Sequence, residues 1–263
     1  MRSIWKGHIR FSLVNIPIQI FKAVETKNNI SFNQLHKEDM GRIAYKKQCR
    51  VCKETVTNKE IVKGYEYDDD KYVVISSKEM EAIKLKSNKA IDLEAFVGLD
   101  EVPATRFEDV YYVGPSTEVA KPTYSLFVQA LKKSKKSGIG RIILRDREDV
   151  VLLTPIDDAL IMYKLRYPYE IRDIDDVPNI EKVKVDKKQL DLAQHLIDSL
   201  TTSFEEVDFE DRYQDALMEL VEQKIDGKEI VVSKEGESEA PVVDIMDALK
   251  ASIEEAKKLK KGA

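Results

Sequence analysis

The sequence predicts an α+β protein, with a strand-rich first half followed by helices, and three observations carry that expectation. Apolar and polar residues alternate repeatedly from the N-terminus to about residue 154. A helical period takes over after Pro178. Basic residues gather in the strand-rich part, although the whole chain carries a net charge of -5.

Each element rests on its own pattern. Arg2, Lys6, His8 and Arg10 share one parity while Trp5, Ile9 and Phe11 share the other, so the first strand has a basic face and a buried face. Further strands are expected over Ile16–Val24, Ile43–Gln48, Ile61–Tyr67, Tyr72–Ser76, Ala90–Val97 and Val110–Val113. Arg141–Asp146 and Val150–Thr154 flank a short charged turn, as a hairpin would, with Arg141, Arg145 and Arg147 again on one parity. Such strands with recurrent basic faces suggest a barrel or a strongly curved sheet.

Tyr124, Phe127, Val128 and Leu131 follow the i, i+3, i+4, i+7 spacing of a helix that ends in Lys132, Lys133, Lys135 and Lys136. Two more amphipathic helices carry Ala193, Leu196, Ile197 and Leu200, then Tyr213, Ala216, Leu217, Leu220 and Val221. Residues 233–241 are polar, contain breakers and read as a linker. Beyond it Val242, Met246, Leu249 and Ile253 form the stripe of a last helix, which cannot bury that stripe alone and so docks on its own body or on another protein.

Composition excludes several classes. With 35% charged and 43% hydrophobic residues the chain is neither fibrous nor disordered. It contains no apolar run of the ~18 residues that a spanning helix needs, and no signal-peptide run precedes Lys6 and Arg10. Cys49 and Cys52 sit too close together to staple distant parts, so a reducing cytoplasm is the expected location.

The net charge hides a strong division. Residues 1–65 hold 13 basic side chains against five acidic ones, a segment charge of +8. Residues 130–147 carry +6, which leaves -19 for the remainder. A polyanion-binding face is the functional reading, set against a merely uneven scatter of surface lysines.

Chemical motifs are few. Lys224-Ile225-Asp226-Gly227 has the form of a nucleotidyl-transfer motif, but it lies where a long helix should end with Gly as its cap. His195 reads as a partly exposed helix residue, Gly138-Ile139-Gly140 as a turn entering a strand, and Asp68–Asp70 as a hairpin tip. No catalytic signature is present, so no enzyme is expected. Cys49-Arg50-Val51-Cys52 has metal-ligand spacing with His36 upstream. Since a closed zinc site needs four ligands and only these three good ones are near, zinc remains a candidate and no cofactor is otherwise expected.

The opening Met1-Arg2-Ser3-Ile4-Trp5-Lys6-Gly7, Phe11-Ser12-Leu13-Val14-Asn15-Ile16-Pro17, Phe32-Asn33-Gln34-Leu35-His36-Lys37, Ile61–Tyr67 and Val243–Leu249 closely resemble bacterial Ku. The resemblance runs in a fixed order over nearly the whole chain. It implies a DNA-end-binding protein of non-homologous end joining, in which two subunits, each with a Ku-type beta-barrel and an extended bridge, form a ring around duplex DNA. It implies a barrel core over 1–178 with the bridge at about 25–65, a helical dimerisation arm over 179–232, a linker over 233–242 and a partner-recruiting helix over 243–263.

On that resemblance Lys37, Arg42, Lys46, Lys47 and Arg50 lie along the DNA path, with Arg2, Lys6, Arg10, Arg141 and Arg145 on the barrel and Lys132, Lys133 and Lys136 flanking. Contacts to phosphate and sugar suit a ring that accepts any end. Val243, Met246, Leu249 and Ile253 become contacts for ligase D, and the location is cytoplasmic, on the nucleoid, with no membrane partner. The family often places an extra Cys or His after the position of His36, where this chain has Asp39 and Met40, which weakens the zinc reading. Two competing classes are a small nuclease, which needs a carboxylate cluster for Mg2+, and a sequence-specific regulator, which needs a helix in the major groove.

Overall fold

The computed structural model describes residues 1–25, 30–83, 89–144 and 147–227. The chain divides into two compact units, Met1–Ile174 and Asp175–Ala263. In the first, β1 (Trp5–Phe11) turns at Ser12 and Leu13 into β2 (Val14–Lys22). The turn is tight enough to hold Ser12 at φ 49, and the register pairs Phe11 with Val14 and Trp5 with Ile20. After an excursion containing β3 (Lys63–Asp68), β4 (Lys71–Ile75) and α1 (Ser77–Ile83) come β5 (Ala90–Val97), β6 (Phe107–Pro115) and α2 (Lys121–Ser134). β7 (Ser137–Leu144), β8 (Arg147–Ile156) and β9 (Ala159–Leu165) complete the unit.

Seven strands close into a barrel in the order β1-β2-β6-β9-β8-β7-β5. The seam is parallel, with Ile9 opposite Ile91, and every other pairing is antiparallel. The expected barrel is therefore present, but its closure depends on β9, which the alternation did not reveal. That strand reads Ala-Leu-Ile-Met-Tyr-Lys-Leu and is buried on both faces over much of its length, so it lacks the polar-out residues that mark a half-exposed strand.

Inside lie Ile9, Ile16, Ile18, Ile20, Ile91, Val113, Ile142, Val151, Leu153, Leu160 and Met162. Each fully buried side chain of this type contributes ~1.5–3 kcal/mol relative to exposure. α2 lies across one end of this interior: Phe127 stacks on Phe11 at the end of β1 with centroids 5.0 Å apart. At the same end Tyr124 donates to the carbonyl of Val113 at 2.5 Å and accepts from the Leu160 backbone at 2.9 Å. Its hydroxyl thus joins β6 to β9 where neither partner reaches water. Lys135 ends the helix in the left-handed conformation, and Lys132 and Lys133 occupy the last turn, where the macrodipole favours cations.

Two local expectations need correction, and one element was unexpected. Ile43–Gln48 forms no strand; only isolated bridges at Leu35–Arg42 and Gln48–Thr55 occur there, because no neighbouring strand lies alongside. Gly138 and Gly140 lie within β7 rather than in a turn before it. A Cβ on Gly140 would meet the Asp92 carbonyl oxygen at 2.3 Å, so glycine permits β5 and β7 to approach beside the bulge at Leu93–Ala95. The short helix α1 carried no signal that the sequence reading used.

In the second unit the expected helices are α3 (Lys187–Leu200) and α4 (Arg212–Ile225). Asp186 caps α3 by accepting from the Lys188 and Gln189 backbones, and Asp211 caps α4 by accepting from Gln214. Gly227 follows α4 at φ 70, so Lys224–Gly227 is a helix terminus, as the sequence indicates. The linker and the last helix fall outside the described residues. Among the described residues no helix is long and apolar enough to cross a membrane.

Burial pushes the Tyr124 phenol up to about 12, against the ordinary value of 10. The neutral phenol is therefore the form the fold favours, and its contribution is complete below pH 10 and lost as the pH rises towards 12. Tyr124→Phe should cost ~1–3 kcal/mol at neutral pH in urea unfolding, since it leaves the Leu160 amide and the Val113 carbonyl without their partner. The variant should also lose less stability than the wild type between neutral pH and pH 11.

Candidate nucleic-acid interface

The excursion between β2 and β5 buries almost nothing. Over residues 30–75 only Ile30, Cys49, Val56 and Ile75 are even half-buried. Both strands of the β3–β4 hairpin are exposed nearly throughout, and Tyr65, Tyr67, Tyr72, Val73 and Val74 stand in solvent with them. A lone two-stranded hairpin is marginally stable in water. Tyr45 at 82% and Val51 at 90% exposure carry the same pattern through the preceding turns.

Two of those turns repeat one geometry. In the first, the His36 amide donates to Gly41 O at 2.8 Å and the Met40 amide to His36 O at 2.9 Å. In the second, the Cys49 amide donates to Glu54 O at 2.9 Å and the Lys53 amide to Cys49 O at 3.1 Å. Met40 and Lys53 hold equivalent left-handed positions at φ 56 and 60. Asp39 accepts from the Gly41 amide at 2.8 Å and sits 2.9 Å from His36 Nδ1, and these contacts hold its carboxyl below the usual range. In the thiol turn the Cys52 and then the Val51 backbone amides lower Cys49 in the same way.

The sequence reading paired His36 with Cys49 and Cys52 as metal ligands. Among the described residues no group of three or more His, Cys, Asp or Glu side chains is placed to hold a metal ion. The thiols face their own turn and His36 faces Asp39, so these residues do not present the four-ligand set of a closed zinc site.

Ahead of the hairpin, whose Lys71 is paired with Asp68 at 2.6 Å, the excursion displays its cations without neutralising them. Lys37, Arg42, Lys46, Lys47 and Arg50 are all exposed. Lys47 Nζ donates to Asn58 at 2.7 Å, an uncharged partner, and none of the five is in an ion pair among the described residues. Lys53, Lys59 and Lys63 are equally exposed on the same stretch. The sequence reading counted these three in the charge but did not place them in the interface. Their signal was that count alone, because Lys53 and Lys59 lie in turns, where no alternation marks a residue, and Lys63 only opens β3.

On the barrel the outcome differs. Register places Arg10 beside Asp92 and Asp92 beside Arg141, in a row across β1, β5 and β7. Arg10 Nε lies 2.5 Å from Asp92, while Arg141 reaches Glu94 at 2.9 Å and Glu148 at 3.0 Å. The Glu148 and Glu94 hydrogen bonds raise Arg141 further above its ordinary value. Lys136 sits 3.4 Å from Glu101. Arg2, Lys6, Lys132 and Lys133 are exposed and carry no ion pair among the described residues. Lys6 and Arg10 share the outer face of β1, and Lys132 and Lys133 project from the end of α2. Arg145, Val243, Met246, Leu249 and Ile253 lie outside the described residues.

The family model for the Ku70/Ku80 beta-barrel domain matches residues 10–192. Proteins named Non-homologous end joining protein Ku are similar over nearly the whole chain. The one from Archaeoglobus fulgidus is 39% identical over 98% of this chain and 100% of its own length. Those from Heliobacterium modesticaldum and Bacillus subtilis are each 37% identical over 98% of this chain, covering 93% and 83% of their own lengths. The closed barrel, the extended excursion between its strands and these full-length similarities agree, and the chain belongs to the Ku family.

Proposed function

We propose that this chain binds the ends of duplex DNA in non-homologous end joining, without reading sequence, as a homodimeric ring, and that it recruits the ligase that seals the break. The observation that carries the reading is the stretch of residues 30–65 in the excursion, which holds eight basic against four acidic side chains, is exposed and has almost no core of its own. Phosphate contacts need charge but no base-reading element, and a strand-and-turn bridge supplies that. The cations from Lys37 to Lys63 meet phosphate without first releasing a carboxylate.

Homodimerisation follows from the apolar residues of the same unit and of the arm. Tyr65, Tyr67, Tyr72 and Val74 in the hairpin are exposed among the described residues. In α3 and α4 no residue is buried, and Leu190, Ile197, Leu200, Tyr213 and Ile225 stand exposed on amphipathic helices. Patches of this extent mark interaction sites. The sequence of 243–263, with Val243, Met246, Leu249 and Ile253, is the reading's ligase-recruiting segment, after a core, an arm over 179–232 and a linker. The role is one of binding rather than catalysis, needs no cofactor, and belongs in the cytoplasm on the nucleoid.

A nuclease needs carboxylates gathered to hold Mg2+, and among the described residues no group of three or more His, Cys, Asp or Glu side chains is placed to hold a metal ion. The helices described in the excursion are the single turn Asn58–Glu60 and α1, whose seven residues hold two acids against Lys78, and neither suits the reading of a major groove, which disfavours a sequence-specific regulator.

Lys46→Glu combined with Arg50→Glu tests the bridge. Electrophoretic titration of a linear duplex should show binding weakened by at least ~10-fold at moderate salt, while light scattering gives an unchanged dimer mass. Normal DNA binding by that variant would overturn the bridge assignment. A second comparison separates free from engaged cations: Arg42→Ala should lower the salt at which the protein leaves a heparin column more than Arg141→Ala does, because Arg141 is already held by Glu94 and Glu148.

A further inference from the structure

We propose that the open mouth of the barrel, at the end away from α2, is a nucleotide-binding site that takes an amino-bearing nucleobase against Asp149 and Trp5 and a phosphate at Lys22. A cavity of about 740 Å³ lies there, lined from β1, β2, β6, β7, β8 and β9. Its volume is of the order of a small-molecule site.

Strand register shows that this cavity is the last layer of the barrel interior and not an outer groove. Val151, fully buried inside, pairs with Lys164, and Ile142, also inside, pairs with Asp149. Tyr111 pairs with both Lys22 and the interior Met162. An interior that is aliphatic through its middle thus ends in ions, where barrel packing alone would call for another apolar layer.

One of those ions is incompletely satisfied. Asp149 is 5% exposed, lines the cavity, and its Oδ1 has no hydrogen-bond partner. Lys164 Nζ approaches that oxygen at 3.5 Å and Arg147 Nε at 3.8 Å, too far for good hydrogen bonds. Lys164 is shared with Glu108 at 3.3 Å, and Arg147 with Glu170 at 3.4 Å. Desolvation raises the Asp149 carboxyl, and the two nearby cations hold it down only in part. A buried acceptor of this kind calls for a donor from a ligand.

The rest of the lining selects the donor's chemistry. Asp149, Glu108 and Asp109 are balanced by Lys22, Arg147 and Lys164, so a bare cation meets repulsion as strong as its attraction, and so does a bare anion. The carboxylates do not gather as a metal group among the described residues. A neutral amino group joined to an anion satisfies both signs at once. Trp5 and Tyr111 add aromatic surface on which a planar base can lie. Trp5 is seated there by Gly7, since a Cβ on Gly7 would meet the Trp5 ring at 2.2 Å. Lys22 is exposed at the end of β2 and carries no ion pair among the described residues, which leaves its charge available for a phosphate.

A base with an exocyclic amine fits this donor requirement, and thymine, which has none, does not. The same chemistry is offered by a free nucleotide and by an unpaired terminal nucleotide of a DNA strand.

Trp5 is the chain's single tryptophan, so its emission reports on the mouth directly. Titration of the full chain with dAMP or dCMP should give a saturable change in emission, with dTMP weaker by at least ~10-fold. Lys22→Ala, a change at an exposed residue, should weaken dAMP but leave adenosine, which lacks the phosphate, unaffected. Asp149→Leu should bring dAMP down towards dTMP, with its fold checked by circular dichroism. No saturable change with any of the three nucleotides at tens of millimolar would overturn the proposal, as would equal affinities for all three that ignore Lys22→Ala. A duplex with a single-nucleotide 3′ dA overhang separates the two sources. Displacement of dAMP by that duplex, and not by its blunt counterpart, assigns the site to strand ends, and displacement by neither assigns it to free nucleotide. The Lys46→Glu, Arg50→Glu variant should still bind dAMP, so a failed bridge and a failed mouth are told apart.

Discussion

The pairing of β9 with β6 on one side and β8 on the other turns a sheet into a closed barrel, and the other features of the first unit depend on that closure. It removes the sheet edges that would otherwise invite pairing with other chains. It also gives Ile9, Ile16, Ile20, Leu153 and Met162 a common interior, which α2 seals at one end through Phe127 and Tyr124. With its apolar surface buried there, the barrel can carry a long excursion that contributes no core. The excursion keeps its basic side chains and many of its apolar ones in water.

The two sets of cations differ in their electrostatics more than in their number. The arginines on the outer face of the barrel stand in a row with Asp92, Glu94 and Glu148, so their field is largely cancelled at a distance. Exposed pairs of this kind are worth ~0–1 kcal/mol, so a phosphate that comes close exchanges with the carboxylate at small cost. The cations from Lys37 to Lys63 are in no ion pair among the described residues and project a field that reaches about a Debye length, ~8 Å at physiological salt. Under the proposed function the unpaired cations would draw DNA in, and the barrel face would hold what has arrived.

Much of this was legible in the residues. The parity of Trp5, Ile9 and Phe11 against Lys6 and Arg10 describes β1 as it stands, and the spacing of Tyr124, Phe127, Val128 and Leu131 describes α2. Pattern failed where burial was two-sided or where a partner was missing. β9 is buried on both faces and shows no alternation, whereas Ile43–Gln48 has the composition of a strand but no neighbour to pair with. The basic excess of residues 1–65 was legible as a charge count, but the engagement of Arg10 and Arg141 was not, because their carboxylates come from other strands. The ionic mouth was hidden for the same reason. Lys22, Asp149 and Lys164 look like ordinary strand-end charges until register places them inside.

The central claim is that DNA is held by encirclement from an end rather than by attraction alone. A labelled linear duplex bound by the purified protein, challenged with equal base pairs of unlabelled linear or closed-circular DNA across a salt series, tests it most directly. The account predicts that linear DNA competes and closed circles do not, with the difference persisting as salt rises. Equal competition by circles would contradict it and leave a basic surface that binds any duplex from the side.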